Sequence, residues 1–120
     1  MARGRRVGVI GKRPLANAAW LEAEGRVGKY VEPYWDRFRA MGFNAESAGA
    51  SPFDGLDWGE IALRFAAYSE GVQCCITGTA TLAHLQENIA RVERGPLPPE
   101  TVRALRDRFR AHDAGWVGQV

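Results

Sequence analysis

Two short β-type runs, Val7–Ile10 (VGVI) and Val72–Thr77 (VQCCIT), stand far apart in a chain whose other patterned segments are helical. Each is apolar and rich in β-branched residues, and each stops at a glycine, Gly11 or Gly78. Such runs read as buried strands. Strands alternating with helices imply parallel pairing through right-handed crossovers. A parallel pair is ordinarily buried inside a larger sheet with both faces covered. The pattern predicts an α/β architecture of two parallel strands with about four helices, which either gains strands from another chain or belongs to a larger sheet.

Local signals set the helices. Asn17–Ala23 reads as a short helical turn. Glu32–Met41 has Pro33 in its first turn and Gly42 just past its end, with Tyr34, Phe38 and Met41 spaced to share a face. Phe43–Leu56 is rich in Gly, Ala, Ser and Pro and reads as a loop. Asp57 then offers a cap, and Glu60, three residues on, is placed to reciprocate. Ile61, Phe65 and Tyr68 continue that helix until Gly71 closes it. Thr81 caps a further helix from Leu82 to about Glu93, with Leu85, Ile89 and Val92 as its apolar seam. A Gly95–Pro99 linker leads to a last helix, about Pro99 to Ala111, whose inward stripe is Val102, Leu105 and Phe109. Asp113–Val120 is a tail.

Composition narrows the class. With 120 residues, 46% hydrophobic and 25% charged, the chain matches one ordinary globular domain rather than a disordered or fibrous one. No apolar run reaches the roughly 18–20 residues that a bilayer span needs. Met1–Arg6 resembles the charged start of a secretory signal, but Val7–Ile10 is too short an apolar core and no cleavage site follows. The net charge of +2 points to neither a nucleic-acid nor a membrane partner. Arg103, Arg106, Arg108 and Arg110 read as a solvated helix face, because the interleaved aromatics of an RNA binder are missing. Cys74 and Cys75 are adjacent, so they cannot staple distant segments, and they read as buried structural cysteines of a reducing, cytoplasmic protein. His84 and His112 have no ligand-spaced partners, so no metal site is expected.

The most informative segment chemically is Ile76–Asn88 (ITGTATLAHLQEN), a strand, a glycine turn, two threonines and a helix start. The unpaired amides of such a first turn carry the positive end of the helix dipole and suit a phosphate. Gly78 permits close approach, Thr79 and Thr81 offer hydroxyls, and His84, Glu87 and Asn88 follow along the helix. The first strand ends in a comparable turn, Lys12–Asn17. In parallel α/β folds both turns fall at the rim where ligands bind. A capped helix after a strand, with nothing bound, is the commoner explanation of such a turn, since strand-turn-helix units are common. No GxGxxG or Walker pattern is present, and no nucleophilic triad can be assembled.

Three segments together resemble the C-terminal part of the aldo-keto reductases, NADPH-dependent (β/α)8-barrel oxidoreductases. They are GVIGKRPLANAAW, ALRFAAYSEGVQCCITGTATLAHLQENI and GPLPPETVRALRDRF, which span nearly the whole chain. The resemblance implies that residues 1–120 form a single partial domain, the C-terminal fragment of a (β/α)8 TIM barrel. It implies that Pro14, Leu15 and Asn17 lie along the cofactor pyrophosphate. It further implies Gly78 and Thr79 at the adenosine phosphate, His84 where many members carry an arginine for the 2′-phosphate, and Glu87 and Asn88 at the adenine. The cofactor implied is NADPH, with NADH left open because Gly78 and His84 replace cations often found there. Lys12 stands where many members place an aromatic residue against the nicotinamide. The family's catalytic Asp, Tyr, Lys and His match no position here, so the chain is expected to be inactive alone. The alternative is a non-catalytic nucleotide-binding or assembly module that self-associates or docks to an N-terminal barrel fragment.

Overall fold

The structure, a computed structural model, describes residues 7–22 and 30–118. The basic start Met1–Arg6, Ala23 of the expected helical turn, and the last two residues of the tail lie outside the described residues. In chain order the elements are β1 (Ile10–Lys12), a 3₁₀ turn (Ala16–Leu21), α1 (Glu32–Ala40), a second 3₁₀ turn (Ala45–Gly49), α2 (Trp58–Ala67), β2 (Cys74–Ile76), α3 (Leu82–Glu93) and α4 (Pro99–His112). The strands pair in parallel, with Ile10 beside Cys74, Gly11 beside Cys75 and Lys12 beside Ile76. Glycine at position 11 lets the strands sit close, since an added Cβ there would meet Cys75 Sγ at 2.8 Å.

The core is aromatic and lies away from the sheet. Trp58, at the start of α2, packs against the rings of Phe38, Phe43 and Phe53 at centroid distances of 4.8, 4.9 and 5.5 Å. Its indole N–H donates to the Asn44 carbonyl at 2.8 Å, so the ring is buried without an orphan donor. Ala48, Ile61 and Leu97 complete the buried cluster, with Met41, Val102 and Leu105 packed against it. The buried Thr101 hydroxyl donates to the Pro52 carbonyl, fastening α4 to the segment before α2.

This arrangement corrects the expectation of a TIM-barrel fragment. In a barrel the sheet is the centre of the core. Here each strand is three residues long, Ile10 and Ile76 are 59% and 60% exposed, and the buried apolar cluster is built from helices and connecting segments. The molecule is a small, mostly helical domain carrying one short parallel pair. β1 also starts at Ile10, three residues after the apolar run begins at Val7; Val9, just before it, accepts at its carbonyl from Gln73 N and donates from its own N–H to the Gln73 side chain.

Further expectations shift for physical reasons. Phe43–Leu56 is no bare loop: Asn44 caps a 3₁₀ turn through Glu46 N and Ser47 N, and the segment delivers Phe43, Ala48 and Phe53 to the core. Asp57 does cap α2, accepting from Glu60 N at 2.8 Å. Glu60 does not reciprocate. Its side chain turns inward to Arg64 and Arg94, and Arg64 in turn donates to the carbonyls of Gly95 and Pro96. The α3 seam is only partly covered: Leu85 and Ile89 border Leu63, Ala67 and Tyr68 yet stay 44% and 50% exposed, and Val92 is half-buried. Phe109 is also exposed, at 43%, with its ring against Trp116 of the tail. Cys74 is exposed and Cys75 half-buried; burial pushes the Cys75 thiol pKa up, and Cys74 beside it adds to the rise.

Candidate functional site

A groove of about 910 Å³ opens where the turn after β1 faces the start of α3. It gathers Leu15, Gly78, Thr79, His84, Glu87 and Asn88, all assigned to one ligand by the sequence reading, and adds Trp20, Leu56, Asp57, Gly59 and Arg91. Pro14 and Asn17 are not among its lining residues: Pro14 is buried and Asn17 is exposed. The parallel register makes this convergence possible. Pairing Lys12 with Ile76 brings the carboxyl ends of both strands to one rim, so the turns that follow them meet.

The first wall is a backbone under strain. Arg13, Ala16, Asn17 and Ala18 all have positive φ, at 55°, 46°, 54° and 54°. Asn tolerates the left-handed region, but alanine has no side chain with which to compensate. The turn is nevertheless closed by Ala16 N to Arg13 O at 2.9 Å and Ala18 N to Leu15 O at 2.7 Å. No glycine marks these positions, and Asn17 alone gives a sequence sign of the left-handed turn.

The second wall is the start of α3. Thr81 accepts from His84 N at 3.2 Å and so caps the helix. The helix itself provides no partner for the amides of Leu82 and Ala83, which keep the positive end of the dipole at this rim. Thr79 is bound up in the turn, donating to the Thr81 carbonyl and accepting from Thr81 N. An added Cβ at Gly78 would meet nothing within 4 Å, so neither packing nor a left-handed backbone demands glycine there. That position faces open space.

Asn88 is the exceptional side chain. It is 8% exposed, yet its only hydrogen bond among the described residues is a long one, from Nδ2 to Thr77 Oγ1 at 3.4 Å. A buried amide oxygen without a donor costs free energy unless something supplies one. One turn away, Arg91 bonds Asp57 through both carboxylate oxygens at 3.1 and 3.0 Å and Glu87 at 2.9 Å. This trio is not legible in the sequence. Arg91 sits four residues after Glu87, a spacing that signals an ordinary helix-surface pair, and only the fold brings Asp57 to it.

The groove lining thus carries polar groups of opposite sense. The α3 start presents helix amides and His84; the lining also holds the carboxylates of Glu46, Asp57 and Glu87, the last two on Arg91. Trp20, Leu56 and Trp58 give it apolar walls between. Neither a tyrosine nor a lysine is among its lining residues. Among the described residues no group of three or more His, Cys, Asp or Glu side chains is placed to hold a metal ion, and no helix is long and apolar enough to cross a membrane. No protein-family model matches the chain, and no curated protein or solved structure matches it either.

Proposed function

We propose that this groove binds the adenosine-phosphate end of a nicotinamide dinucleotide, as the resemblance to aldo-keto reductases implies, with the phosphate at the α3 start and the base towards Glu87 and Asn88. The observation that carries this reading is the convergence of Leu15 from one turn with Gly78, Thr79, His84, Glu87 and Asn88 from the other in a single groove. The half-satisfied amide of Asn88 supports it, because a purine edge supplies the missing partner. NADPH is the cofactor proposed and NADH the variant to compare. The chain's own residues bind and orient. With no tyrosine or lysine in the groove to donate a proton, carbonyl reduction is not assigned to this chain alone.

Calorimetric titration of the purified chain with NADPH tests the reading. Saturable binding is expected, weakened about tenfold by Asn88→Ala, the cost of one hydrogen bond to a buried group. Absence of heat at millimolar cofactor overturns it. A second reading, an assembly module that self-associates or docks onto another chain, is favoured by the exposure of Ile10, Ile76, Leu82, Leu85 and Ile89.

A further inference from the structure

Arg91 is held more firmly than its place on a helix surface requires. An exposed pair four residues apart ordinarily exchanges rotamers and contributes little. Here the Arg91 side chain is only 16% exposed, its Nη2 is gripped by both oxygens of Asp57, and its guanidinium lies against Gly59. An added Cβ at Gly59 would come within 2.8 Å of Arg91 Nη1 and 3.1 Å of Cζ, so the absence of a side chain there is what admits the guanidinium. Asp57 is itself immobilised as the cap of α2. Anchored this way, Arg91 reaches Glu87 at 2.9 Å through one oxygen, Oε1.

Two consequences follow for the groove. Glu87, 53% exposed and otherwise free to wave in solvent, is pinned against its wall with Oε2 still able to accept. And Arg91 is already engaged by two carboxylates, with Glu46 a third acid on the same lining, so this end repels phosphate and favours a hydrogen-bond donor. We infer that Arg91, braced by Asp57 across Gly59, is a positioning residue that fixes Glu87 as an acceptor for the exocyclic amine of a 6-aminopurine, so that the groove selects an amino over an oxo group on the base. The inference rests on the dinucleotide reading above and adds the device that sets base selectivity. A site built to accept from an N–H discriminates strongly against an analogue that presents a carbonyl there, because two acceptors are then forced together.

The test compares NADPH with its hypoxanthine analogue, which has the same phosphates, sugars and nicotinamide but carries oxygen in place of the adenine amine. Calorimetry on the wild-type chain is expected to show about a tenfold preference for NADPH. Arg91→Ala is expected to bring the preference to within about twofold, because Glu87 loses its anchor. Gly59→Ala serves as the second variant. Its Cβ would crowd both the Arg91 guanidinium and Asp57 Oδ1, at 2.8 and 3.0 Å, so the preference is expected to fall with it in a variant whose cooperative melt shows that the fold is kept. An undiminished preference in either folded variant overturns the inference and leaves the cofactor reading standing. So does equal affinity of the wild-type chain for both dinucleotides. Failure of the wild-type chain to bind NADPH removes the cofactor reading, and this inference with it.

Discussion

Ala16 and Ala18 occupy the left-handed region, at φ 46° and 54°, where an L-residue bearing a Cβ is strained by roughly 1–2 kcal/mol. Such strain persists only where the surroundings over-determine it. Here two tight backbone hydrogen bonds and the buried Ala19 that follows do so. Ala18 also lines the groove, so the strained turn shapes the wall that a ligand meets. Glycine at this position removes the strain but gives up about 0.5–1 kcal/mol of backbone entropy. Ala18→Gly is therefore expected to stabilise the chain by about 0.5–1 kcal/mol in urea unfolding. A lower stability would show that position 18 is not strained. The residue scale is also where the sequence was least legible. Left-handed turns are signalled by Gly or Asn, and of the positive-φ residues in this stretch only Asn17 gives that sign. Asn88 was legible as a functional candidate from its place in the motif, but its burial was not.

At the scale of elements, the helices and their caps were readable because capping and glycine stops are local. Asp57 and Thr81 both accept the backbone N–H expected of an N-cap, and α3 spans the residues that the apolar spacing picked out. Orientation was not readable. Glu60 satisfies the capping-box pattern, yet its side chain is 3% exposed and faces Arg64 and Arg94, because the Gly95–Pro96 linker packs over that side of α2. The two roles differ measurably. Loss of a cap partner costs about 1 kcal/mol. Removing one member of a buried ion pair leaves an uncompensated charge and costs about 3–5 kcal/mol. Glu60→Ala is thus expected to lower the unfolding free energy by about 3 kcal/mol or more, stranding Arg64, whose side chain is 8% exposed. A loss near 1 kcal/mol would return Glu60 to the capping role.

Across the whole molecule, the two β-type runs correctly announced a parallel pair whose following turns share a rim, since a short parallel pairing leaves those turns little choice. The aromatic core stayed hidden because Phe43, Ala48 and Phe53 sit in a segment whose Gly, Ala, Ser and Pro content mimics a loop. The largest remaining tension is the apolar surface. Register places Ile10, Cys74 and Ile76 on one exposed sheet face, and among the described residues both strand edges lack a neighbour in the sheet. α3 turns His84, Glu87, Asn88 and Arg91 to the groove, while Leu82, Leu85 and Ile89 remain 69%, 44% and 50% exposed. Open edges and contiguous apolar patches of this kind mark surfaces that are covered in use. The assembly reading therefore predicts that, in sedimentation velocity at micromolar concentration, the chain runs as a species heavier than its 13.2 kDa protomer. Ile89→Glu is expected to return it to the protomer mass. At a position already half exposed the substitution should change protomer stability by no more than about 0.5 kcal/mol, so a shift in mass would report assembly rather than unfolding. Because Ile89 and the groove residues occupy different sides of α3, NADPH affinity should survive the same substitution. A wild-type chain that sediments as a protomer and still melts cooperatively would show that the exposed apolar face has no role in self-association.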